Sequence, residues 1–110
     1  MLDRKAAVAA YKERKTPWGI YAVRCTATGQ VWIGRGLDLD KIENRLRFSL
    51  RLGGGRPASL QEAWTRHGEG SFVFETLERM KEEEGASFAR NNWFKTRLTF
   101  WREELSAEII

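Results

Sequence analysis

The chain has 110 residues, 42% of them hydrophobic and 12% aromatic, with a formal charge of +4. That fits one domain around one modest core and excludes both a disordered chain and a pair of independent domains. One cysteine, Cys25, cannot close an internal disulfide, and one histidine without a cysteine cluster excludes a zinc site of the usual spacing. The basic residues are mostly arginine, which suits a polyanionic partner without requiring one.

The first residues, MLDRKAAVAAYKERK, carry an apolar run too short and too broken by charge for a signal peptide or a membrane span, so a cytoplasmic setting with no membrane contact is expected. The same residues are helix formers, with Asp3 as an N-cap and Pro17 as a stop, and predict a basic helix over 1–16. Its apolar stripe of Ala6, Val8, Ala9 and Tyr11 is thin, which implies light packing.

GIYAVRC and QVWIG are short runs rich in β-branched and aromatic residues around the turn TATG, where Gly29 supplies the left-handed position of a hairpin. Alternation puts Tyr21, Val23 and Cys25 on one face of the first strand and Ile20, Ala22 and Arg24 on the other. In RGLDLDKIENRLRFSLRLGGG, Asp40 and Glu43 have capping-box spacing, and Leu39, Ile42, Leu46 and Leu50 recur at helical intervals. A helix over 40–52 closed by the Gly53–Gly55 triplet follows. ASLQEAWTRHG predicts a second helix ending at Gly68, and SFVFETLER a strand over 71–77. KEEEG reads as a solvated linker, and SFARNNWFKTRLTFWREEL as a long helix with Phe94, Leu98, Trp101 and Leu105 on one stripe.

The order of elements predicts an α+β fold: a three-stranded, mainly antiparallel sheet flanked by helices, with an extra N-terminal helix. The main domain is expected over 17–105 and a short tail over 106–110. The first two strands must be neighbours, and the third returns beside one of them.

GIY at Gly19–Tyr21 and WIG at Trp32–Gly34 are spaced like the two signature tripeptides of the GIY-YIG nuclease family. SLQEAWTRHGEGSFVFETLER, with its Leu-Gln start, its aromatic, its His-Gly turn and its Phe-x-Phe-Glu strand, also resembles that family's middle section. The resemblance runs roughly from Gly19 to Trp101. It implies a domain that cuts one phosphodiester strand with a single divalent metal, Mg²⁺ or Mn²⁺. The first tripeptide's tyrosine would help deprotonate the attacking water, with the second tyrosine beside it. A helix arginine would steady the phosphate, and a glutamate on a later helix would hold the metal.

Tyr21 matches the first tyrosine. With an ordinary pKa of about 10, its hydroxyl needs a nearby cation to act as a base, and its plainer reading is a half-buried strand residue. Trp32 stands at the second tyrosine. Indole offers one N–H and no acidic hydroxyl, so it can pack or donate to a phosphate but cannot relay a proton. Gly34 leaves room for backbone or substrate, Gly36 extends that opening, and Arg35 is expected to meet a phosphate beside Tyr21. An ungapped comparison puts Ile42 at the catalytic arginine, and Arg45, one turn on and sharing its face, is taken ahead of Arg47.

The metal-binding glutamate falls on Leu98, or on Asn91 in a shifted comparison, and no Asp or Glu occurs from Gly85 to Arg102. No metal ligand is therefore predicted, since hard cations depend on carboxylates. Glu75 is expected to face solvent, Glu82–Glu84 to be a hydrated linker, and His67 to mark a helix end. The function read from these residues is a nucleic-acid-binding domain of nuclease ancestry with impaired or lost catalysis. Its basic face would combine Arg24, Arg35, Arg45, Arg47, Arg51 and Arg56 with Trp18, Trp32 and Phe48, and DNA stands ahead of RNA. The alternatives are an active endonuclease that uses Mg²⁺ or Mn²⁺, and a protein-interaction adaptor.

Overall fold

The computed structural model describes residues 16–80 and 87–110. The expected N-terminal helix, except Thr16, and the KEEEG linker lie outside the described residues. Strand β1 (Trp18–Cys25) and strand β2 (Val31–Gly36) form the expected antiparallel hairpin, Tyr21 facing Gly34 and Val23 facing Trp32. Its turn is closed by the amide of Gly29 donating to the carbonyl of Cys25 at 2.8 Å.

Helix α1 spans Leu39–Arg51 and starts one residue before the expected position. The cap is Asp38, not Asp40: its carboxylate accepts from the Asp40 amide at 3.2 Å, covering one of the unpaired N–H groups of the first turn. Helix α2 (Ala58–His67) leads through a single 3₁₀ turn, Glu69–Ser71, into strand β3 (Phe72–Met80), which is longer than its apolar run suggested. Helix α3 (Ser87–Leu105) carries the predicted stripe, with Phe94, Leu98, Trp101 and Leu105 all packed on the sheet.

The fold is α+β as expected, and the three predicted strands pair antiparallel, with β1 between β3 and β2. The sheet has four strands, however, not three. After α3 the chain reverses at Ser106, which sits at φ 51°, and strand β4 (Glu108–Ile109) pairs parallel with the outer edge of β2. Two residues are too few to show an alternating pattern, so this strand is visible only once α3 has delivered the chain to that edge.

The sheet is covered on both faces. Tyr21, Val23, Cys25 and Trp32 pack under α1 and α2 with Leu39, Leu50, Leu60, Ala63 and Trp64. Ile20, Ala22 and Ile33 pack under α3. Side chains such as Ile20, Val23, Ile33 and Leu60 are 0% exposed. Each fully buried Val, Leu or Ile contributes roughly 1.5–3 kcal/mol. This double cover explains why the central strand is apolar at both parities instead of alternating with polar residues. Among the described residues, no helix is long and apolar enough to cross a membrane.

Candidate functional site

The two tripeptides lie side by side in the hairpin, and their glycines are fixed by close approach. A Cβ on Gly34 would sit 2.7 Å from the Tyr21 hydroxyl oxygen, so the tyrosine ring can cross β2 only where β2 has no side chain. A Cβ on Gly19 would sit 1.8 Å from the carbonyl oxygen of Glu78, where β3 crowds β1 at the register shift between Ile20 and Tyr21. Tyr21 itself is 6% exposed, and its hydroxyl makes no hydrogen bond to another described residue. Burial pushes its pKa from 10.0 up to about 12, away from the phenolate.

Trp32 shares Tyr21's face of the sheet and is 1% exposed. Its Nε1–H donates to the Ser59 hydroxyl at 3.0 Å, and that hydroxyl donates onward to the Glu108 carboxylate at 2.7 Å. The indole thereby packs against Phe72 and spends its single donor inside the fold, tying β2 to α2 and β4.

Beside Tyr21 lies a pocket of about 110 Å³, lined by Tyr21, Leu39, Ile42, Glu43, Phe74, Glu75 and Thr76. Arg45 does not line it; the side chain is exposed on the outer side of α1. Arg47 reaches the pocket's rim, with its guanidinium 4.4 Å from the centre of the Phe74 ring and its Nε donating to Glu43 at 2.9 Å. Arg47 and Arg51 both also grip Glu69, at 3.1 and 2.7 Å. The hydrogen bond from Arg51 does most to hold the Glu69 carboxyl below the usual carboxylate range.

The six candidate arginines divide into three groups. Arg24 and Arg35 leave the hairpin on the α3 side, opposite Tyr21, because strand side chains alternate. There Arg24 pairs with Glu75 at 2.5 Å and Arg35 lies over the Phe94 ring at 5.7 Å. Arg47 and Arg51 are neutralised through Glu43 and Glu69. Arg45 and Arg56 are exposed and have no ion pair with a described residue.

A divalent metal does not fit the described donors. Glu43 is bound to Arg47, while Glu75 stands opposite Ala22 in register and turns its carboxylate to Arg24 on the far face. Among the described residues, no group of three or more His, Cys, Asp or Glu side chains is placed to hold a metal ion. His67 closes α2, where its carbonyl accepts from the Ser71 hydroxyl. The Glu69 clamp and the Ser59–Glu108 relay were not read from the sequence. Only the Glu43 to Arg47 spacing of four was available as a signal, because the other partners meet across 18 to 49 residues.

No family model and no curated protein matches the chain. Two solved structures do. One is the catalytic domain of the homing endonuclease I-TevI, 26% identical, with a TM-score of 0.69 over 84% of this chain and 97% of that one. The other is the same catalytic domain of the intron endonuclease in a glutamate-to-alanine mutant form, also 26% identical with a TM-score of 0.69, over 83% of this chain and 86% of that one. With both tripeptides paired in one hairpin, three helices on a mixed sheet and this likeness over most of its length, the chain has the GIY-YIG nuclease fold.

Proposed function

We propose that this domain binds nucleic acid, DNA ahead of RNA, and that phosphodiester hydrolysis in it is impaired or lost. The likeness to an endonuclease catalytic domain supports the nucleic-acid partner, together with the charge of +4. The observation that carries the loss of chemistry is at the second tripeptide. Where a tyrosine would stand, Trp32 is buried with its only donor committed to Ser59, so among the described residues no second phenol stands beside Tyr21. The Tyr21 hydroxyl has its pKa raised to about 12, and Glu43, which lines its pocket, is held by Arg47. Those features leave neither an accessible base at neutral pH nor a described donor set for a cation.

The second reading, an active metal-dependent endonuclease, draws on one observation: the Tyr21 hydroxyl is unpartnered among the described residues and borders a pocket with an arginine at its rim. One experiment separates the two. Labelled DNA is titrated at several salt concentrations, and plasmid is incubated with Mg²⁺ or Mn²⁺. The proposal expects affinity that falls steeply with salt and no nicking above background. Metal-dependent cleavage abolished by both Tyr21→Phe and Arg47→Ala establishes the second reading instead. Affinity indifferent to salt removes both and leaves the protein-interaction adaptor.

A further inference from the structure

The outward face of α1 joins exposed apolar side chains to basic ones. At 100° per residue, Lys41, Asn44, Arg45, Phe48 and Leu52 fall within an arc of about 100°, directed away from the core residues Leu39, Leu46 and Leu50. All five are exposed: Phe48 keeps 60% and Leu52 71% of its surface in solvent. No acid lies in the arc. The helix's carboxylates, Asp40 and Glu43, sit outside it and are paired with Arg79 and Arg47, whereas Lys41 and Arg45 have no ion pair with a described residue.

We infer that this stripe is a binding ridge for an unpaired nucleic-acid strand, with a nucleobase stacked on Phe48 and the adjoining phosphates held by Lys41 and Arg45. The inference rests on the nucleic-acid reading above and specifies the site and the form of the ligand. Two cations without a described ion pair, leading along the helix to an aromatic face, complement a phosphate chain with an accessible base, the pairing of charge and stacking that single-strand binders use. An aromatic on a convex helix reaches the flat face of a base only where that base is unstacked, which sets the single strand ahead of the duplex. A second copy of this chain is a poorer occupant. One Phe and one Leu beside two positive charges cannot supply the roughly 800 Å² per partner of a standard interface, and two such faces repel. The ridge points away from the Tyr21 pocket, so binding there is separable from the tripeptide hairpin.

The test is fluorescence anisotropy with labelled oligo-dT, oligo-U and a mixed-sequence duplex against the whole chain. For Phe48→Ala, affinity for the better of the two single strands is expected to fall about tenfold or more, with duplex affinity unchanged. Phe48→Tyr is expected to stay within about twofold, since it keeps the stacking face. Arg45→Ala should lower the slope of log affinity against log salt by about 0.7, one phosphate contact on a single strand. The tighter of oligo-dT and oligo-U names the strand as DNA or RNA. Salt-dependent binding by the unaltered chain that Phe48→Ala leaves intact overturns the ridge and spares the wider proposal; no binding to any of the three probes overturns both. Equal weakening on duplex and single strand assigns the face to duplex, and a dimer dispersed by Phe48→Ala without loss of binding assigns it to a second copy; either result overturns the inference.

Discussion

Tyr21 and Trp32 sit at equivalent places in two adjacent tripeptides, on the same face of the same hairpin, and both are almost wholly buried. They differ in what their polar atoms do. The indole N–H of Trp32 is satisfied through Ser59 and Glu108 and joins three elements, while the Tyr21 hydroxyl has no described partner and borders a pocket. A buried polar group that is paired supports the fold, and one left unpaired costs free energy. In this fold the Trp32 donor is spent on holding elements together, and Tyr21 retains a feature that stability alone does not explain.

That contrast can be broken from the Trp32 side first. Trp32→Ala removes a side chain that is 1% exposed, together with the donor that the Ser59 hydroxyl accepts from, so a loss of about 3–5 kcal/mol in denaturant unfolding is expected. A loss below about 1 kcal/mol would mean the tryptophan is not structural. Next in size is Gly34→Ala, whose new Cβ meets the Tyr21 hydroxyl at 2.7 Å. The ring must shift, which costs about 1–3 kcal/mol. The same substitution combined with Tyr21→Ala should cost less than the sum of the two alone, because the clashing oxygen is gone. Strict additivity would show that the glycine answers to something other than the tyrosine.

Tyr21→Phe has the smallest effect at neutral pH, within about 1 kcal/mol and in the stabilising direction, since it deletes a buried hydroxyl without a described partner. Its signature is in alkali. The native tyrosine keeps its proton up to about pH 12, whereas the unfolded chain releases it near 10.0. The native state then binds more protons across that window, so stability is intact below pH 10 and is lost as pH rises through about 12. The natural protein should lose on the order of 2 kcal/mol more than Tyr21→Phe over that interval, read as the difference between their denaturant midpoints at pH 9 and 12. Parallel loss in the two proteins would place the tyrosine in contact with solvent.

Much of the fold was legible before any coordinates. The hairpin and the stripe of α3 follow from periodicity, which depends only on local geometry. The capping residue of α1 was misplaced by two positions because Asp38 and Asp40 are chemically equal candidates, and only the backbone bend at Asp38, φ −144° and ψ 91°, selects between them. The tripeptides marked Tyr21 and Gly34 as neighbours without revealing why: the glycine is required by a ring lying across it. The choice among Arg24, Arg35, Arg45, Arg47, Arg51 and Arg56 was beyond sequence reading. Arg24, Arg47 and Arg51 are answered by Glu75 and Glu69, which lie 18 to 51 residues from the arginines they meet.

By itself the sequence determined which residues are apolar, in what rhythm, and hence which strands and helices form; it also determined that the second tripeptide has no phenol and that the last helix has no carboxylate before Glu103. Tertiary structure alone decided which charges are answered, that the Trp32 donor is consumed indoors, that β4 closes the sheet, and that Arg45 and Phe48 share an outward face while Arg47 turns to the pocket. The physical reason is range. Periodicity and propensity act within one or two turns of chain, whereas an ion pair or a hydrogen bond is made wherever folding brings its partners within about 3 Å.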